Sequence, residues 1–89
     1  MKQTSSEIAE SVRKSLDRYF KDLDGAKPRS IYDMVLKNVE KPMIETVLDK
    51  ADGNQTIAAE MLGINRNTLR KKITELSIPI RRVVGGTLG

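Results

Sequence analysis

Apolar residues along this chain recur at spacings of three and four, the period of a helical face, and breaker residues divide them into four stretches. The first carries Ile8, Val12, Leu16, Tyr19, Phe20 and Leu23, and predicts a helix over Ser6–Leu23 with Thr4 and Glu7 as a capping box at its start. Asp24-Gly25 should end it, and Lys27-Pro28-Arg29 reads as a linker, because Gly accepts the left-handed stop and Pro disfavours helix in the residue before it. Ser30, with Asp33 three residues on, is the next N-cap signal. It opens a longer segment in which Ile31, Met34, Val35, Val39, Met43, Val47, Leu48 and Ala51 are apolar and Leu36 and Ile44 widen the stripe. Pro42 interrupts this segment, so the helix either kinks there or restarts with Pro42 in a new first turn. Ala51-Asp52-Gly53 stops it, Asn54 caps a short third helix over Gln55–Leu62, and Gly63 ends that helix. Asn65 is the N-cap of the fourth. Ile64 lies five residues before Leu69, the spacing of a hydrophobic staple, and Leu69, Ile73 and Leu76 mark the buried edge before Pro79. The tail SIPIRRVVGGTLG has no helical period and reads as mostly disordered, with Arg81 and Arg82 as further phosphate contacts.

The expected fold class is therefore all-α, four helices in one domain. At 89 residues a single copy buries only a limited core. The second stretch is apolar over a broader arc than the first helix can cover, and a second copy of the chain would cover it. The first two helices of two subunits then form an intertwined homodimer core through an isologous contact. The alternative is that the C-terminal helices alone cover this face. The organisation that follows is a short N-terminal arm at residues 1–7, dimerisation helices at 8–53, a helix-turn-helix at 54–76 and a flexible tail at 77–89.

Composition removes most chemistry. The chain has no Cys and no His, so thiolate and imidazole metal sites, disulfides and the commonest general base are absent. Its carboxylates are interleaved with Lys and Arg at helical spacing, as on solvated faces, and none forms a pair suited to acid–base work. No enzyme activity, metal or cofactor is expected. The segment MKQTSSEIAES lacks the apolar core of a secretion signal and no run approaches a membrane span, so no membrane partner and a cytoplasmic location are expected.

The net charge of +4 is unevenly placed. Residues 1–53 hold ten Lys and Arg against ten acids, whereas residues 54–89 hold Arg66, Arg70, Lys71, Lys72, Arg81 and Arg82 against Glu60 and Glu75 alone. A neutral assembly half joined to a basic half fits a polyanion partner. The two short helices joined by Leu62-Gly63-Ile64 have the spacing of a bihelical DNA-binding unit, with small Ala58 and Ala59 permitting a close crossing. With Leu69 and Ile73 turned inward, Arg66 and Arg70 share an outer stripe beside Asn67, Lys71 and Thr74. Arg suits bidentate contact with guanine, and Asn65 and Thr68 in the first turn suit a phosphate. Asn54 and Thr56 hold the matching place on the third helix, where a plain capping role is the alternative. No aromatic residue lies in this half, which disfavours base stacking on single strands or RNA.

The stretch DGNQTIAAEMLGINRNTLRKKI resembles the bacterial factor for inversion stimulation, Fis, and the related C-terminal domains of enhancer-binding activators of the nitrogen-regulation type. The likeness runs from about Ile8 to Leu76 and includes SVRKSLDRYF and the Pro-containing helix. It implies a homodimer built on the first two helices, a second helix that continues through Pro42 with a kink, and two fourth helices entering successive major grooves. It further implies that the duplex, at AT-rich sites, bends and narrows its minor groove, so that preference follows shape. Carried onto matching positions, Asn54, Thr56, Asn65, Arg66, Thr68, Arg70 and Lys71 are the implied DNA contacts, with Arg66 the main base reader. The likeness implies a nucleoid-associated transcriptional regulator. Fis reaches site-specific recombinases through a longer N-terminal arm, and with only Met1–Glu7 ahead of the first predicted helix that partner is not expected. The chain also departs from the family at Asp52, Ile57 and Thr74-Glu75, positions open there to basic residues. Two other readings stay in view: a local transcription factor of the activator C-terminal type, and a helical adaptor whose basic face meets an acidic protein.

Overall fold

The computed structural model describes residues 2–80, and these form four helices with no strand among them: α1 (Lys2–Leu23), α2 (Ile31–Lys50), α3 (Gln55–Leu62) and α4 (Arg66–Glu75). They divide into two compact units, one reaching to Val35 and one starting at Leu36.

In the first unit α1 begins at Lys2, so Thr4 and Glu7 lie inside the helix and no capping box opens it. Nothing in KQTSSE forbids this, since the segment contains neither Gly nor Pro. The helix stops where predicted. Asp24 and Gly25 take φ of 49° and 91°, the Asp24 amide donates to the Lys21 carbonyl and the Ala26 amide to that of Leu23. Tyr19 packs its ring edge-on against Phe20, with centroids 5.5 Å apart, and its hydroxyl accepts the Arg29 amide at 3.3 Å, tying the linker back to α1. Ser30 differs from a regular N-cap. Its φ is 52°, in the left-handed region, and its carbonyl accepts from the Met34 amide at 3.0 Å.

Helix α2 runs unbroken through Pro42, which decides between continuation and restart. An interior proline costs about 3 kcal/mol in a regular helix. The helix persists because the turns beyond it are needed: Ile44 and Ala51 are buried and Val47 and Leu48 pack beside them. Its end is a Schellman motif, in which the Gly53 amide donates to the Leu48 carbonyl at 2.8 Å and the Asp52 amide to Asp49 at 3.1 Å, with Asp52 at φ 56° and Gly53 at 80°.

The core of the second unit consists of Ile44, Ala51, Ala58, Ala59, Leu69, Ile73, Leu76 and Ile78, with Leu62 at its margin. Ile78 corrects the reading of the tail. The Ile78 amide donates to the Ile73 carbonyl at 3.0 Å and the Ser77 amide to that of Thr74 at 3.2 Å, a second Schellman motif closing α4. Ser77 takes the left-handed conformation, φ 54°, and the turn delivers the Ile78 side chain into the core at 6% exposure. Residues 77–80 are thus folded at least as far as that contact, and Arg81 and Arg82 lie outside the described residues.

Candidate nucleic-acid interface

Three local devices set the pair α3–α4. Asn54 caps α3 from an extended conformation, φ −79° and ψ 107°, its Oδ1 accepting the Ile57 amide at 3.0 Å. Gly63 ends α3 at φ 77°, and its amide and that of Ile64 both donate to the Ala59 carbonyl, at 2.8 and 3.0 Å. Asn65 caps α4, with φ −68°, ψ 144° and Oδ1 accepting the Asn67 amide at 2.7 Å. Ala58 and Ala59 are buried, which leaves room for α3 and α4 to pack closely. Leu69 is fully buried and Ile64, five residues before it, is 37% exposed.

Burial of Leu69, Ile73 and Leu76 fixes the outward face of α4. At 100° per residue the direction opposite this edge falls on Asn67 and Lys71, with Arg70 to one side and Thr68 to the other, while Arg66 in the first turn lies toward the buried edge and the start of α3. All seven predicted contacts, Asn54, Thr56, Asn65, Arg66, Thr68, Arg70 and Lys71, are exposed. The structure joins two of them directly: Arg66 Nη1 donates to Thr56 Oγ1 at 3.2 Å, linking the first turn of α4 to the first turn of α3. Among the described residues Arg66, Arg70 and Lys71 form no ion pair. Asn54 and Asn65 spend their side-chain oxygens as caps, which satisfies the capping reading, and each retains an amide NH2 as donor.

The fourth cation of the run, Lys72, has another task. Its Nζ lies 3.1 Å from Glu40 Oε2 on α2, and the two side chains are 34% and 22% exposed. Helical register places Lys72 toward the core edge, but its partner, 32 residues away, left no local signal. Asp52, Ile57, Thr74 and Glu75 are exposed and not basic, so positive charge is concentrated at the start and middle of α4. Among the described residues no group of carboxylates could hold a metal ion, and no helix is long and apolar enough to cross a membrane.

Two short, capped helices with a left-handed glycine between them and an exposed basic face on the second define a helix-turn-helix protein. Residues 35–76 match the family model of bacterial regulatory proteins of the Fis family. The chain is 54% identical over 68 residues to a protein of Ralstonia nicotianae named as Fis-like and DNA-binding, covering 76% of this chain and 88% of that one. It is 49% identical over 75 residues to a protein of the same description from Neisseria meningitidis serogroup A, covering 84% and 95%. It is also 49% identical over 70 residues to the DNA-binding protein Fis of Actinobacillus succinogenes, covering 79% and 71%. The chain belongs to the Fis family.

Proposed function

We propose that this protein is a homodimeric regulator that binds double-stranded DNA, acting in the cytoplasm on the nucleoid. The observation that carries the reading is the outward face of α4, where Arg66, Arg70 and Lys71 stand exposed and without carboxylate partners among the described residues. Arg66 reads guanine in the major groove, Arg70 and Lys71 neutralise phosphates, and Asn54, Thr56, Asn65 and Thr68 hold the backbone from the two helix starts. Membership of the Fis family supports this assignment, since the relatives compared are named for DNA binding.

The dimer reading is supported by apolar surface left open in one chain. Ile8 and Phe20 on α1, and Val39 and Met43 on α2, are exposed large hydrophobics. Residues 8–53 supply the dimer core and 54–76 the DNA-binding unit. Two copies of α4 then engage successive major grooves and bend AT-rich duplexes, giving preference by shape. A recombinase is not among the proposed partners. A salt titration of binding to random and AT-rich duplexes tests the DNA reading: log K falls with log salt by about 0.9 per neutralised phosphate. Weak, salt-insensitive binding to every duplex sinks it and leaves the acidic-protein adaptor. Sedimentation equilibrium that finds a folded monomer at micromolar concentration removes the dimer.

A further inference from the structure

We propose that Thr56 is the positioning residue for Arg66, and that it sets discrimination between sequences more than overall affinity. The inference rests on the reading of Arg66 as a base reader. The bond from Arg66 Nη1 to Thr56 Oγ1, 3.2 Å, spans two helix starts that are ten residues apart in sequence. The chemistry of the acceptor matters. A carboxylate in this place would cancel the guanidinium charge and compete with DNA for it. A hydroxyl orients the guanidinium while leaving its charge intact. Thr Oγ1 has two acceptor lone pairs and one O–H, so accepting from Arg66 leaves the hydroxyl proton free to donate to a phosphate oxygen. Arg66 uses one of five N–H donors and keeps the others for the two-point contact with guanine.

Water competes with this bond in the free protein, where both residues are exposed. Docking into a groove displaces that water, and the bond strengthens in the lower dielectric. Thr56 therefore limits the rotamers of a long side chain at the moment when its aim decides which base is read. Thr is itself restricted at χ1, so its oxygen occupies few positions.

The test uses the full chain and three duplexes: one recovered by the wild-type protein from a random pool, a copy with 7-deazaguanine at single guanines, and a scrambled duplex of equal composition. Thr56→Val is expected to lose about thirtyfold on the recovered duplex and about threefold, the loss of the phosphate contact alone, on the scrambled one. Thr56→Ser retains binding within about threefold, because the hydroxyl remains. The 7-deazaguanine penalty of the wild type vanishes in Thr56→Val, and in an Arg66→Ala background Thr56→Val adds only the loss of the phosphate contact, about threefold on both duplexes. Thr56→Ala supplies the same comparison if valine disturbs folding. Equal losses on recovered and scrambled duplexes, additive with Arg66→Ala, overturn the proposal and leave Thr56 a phosphate contact. If instead Arg66→Ala leaves discrimination intact, the base-reading role itself fails and the positioning role falls with it.

Discussion

Ile78 and Ile80 have the same side chain, stand two residues apart beyond α4, and should respond very differently to truncation. Ile78 is 6% exposed within the core, whereas Ile80 is 62% exposed. Ile78→Ala removes three carbons from a nearly dry site, worth about 2.4 kcal/mol at about 0.8 kcal/mol per methylene. The cavity left behind adds to this, offset by relaxation in the turn that follows α4, so the expected loss is about 2–3.5 kcal/mol. The backbone bond from the Ile78 amide to Ile73 survives the change, so the difference measures the side chain alone. Ile80→Ala should cost under about 0.5 kcal/mol. Urea unfolding followed by far-ultraviolet circular dichroism, at one protein concentration because association contributes to stability, reads both variants. At a slope of about 1.5 kcal/mol per molar urea, the Ile78 midpoint falls by about 1.3–2.3 M with the slope unchanged. Equal midpoints for the two variants would refute the placement of Ile78 in the core.

Gly63→Ala tests the turn. A Cβ there meets nothing within 4 Å, so the cost comes from φ 77° alone, about 1–2 kcal/mol in the same unfolding assay, and a loss beyond about 3 kcal/mol would contradict the open space. Lys72→Met keeps the aliphatic stem and deletes the charge facing Glu40, and should cost up to about 1 kcal/mol, with the difference shrinking at high salt. A loss that high salt leaves untouched would point to packing rather than charge. Arg66→Ala should lose about 1–3 kcal/mol of DNA binding and relax preference, whereas Lys71→Ala weakens all duplexes alike and lowers the salt slope by about 1. Identical, sequence-blind effects in fluorescence anisotropy would reject this division of roles.

The helix-turn-helix was readable from the chain because its signals are local. Asn54 and Asn65 cap the amides two or three residues ahead, and Gly63 takes the conformation for which it lacks a Cβ penalty. The period of Leu69, Ile73 and Leu76 then turns Arg70 and Lys71 outward, and Arg66 stays exposed at the first turn of the helix. Local signals also misled. Thr4 and Glu7 have capping-box spacing yet lie within α1. A spacing states which groups can meet, not whether a better partner exists.

What the sequence alone determined is the helical class, the breaks between helices and the basic face of α4, because periodicity, caps and charge act within a few residues. The tertiary structure decided that α2 runs through Pro42, that Lys72 turns from the basic run to Glu40, that Arg66 meets Thr56 and that Ile78 belongs to the core. Each of these depends on how groups compete in space. Burial of Ile44 and Ala51, with Val47 and Leu48 beside them, works against the cost of Pro42, and a cation's role depends on whether a carboxylate 32 residues away comes within reach.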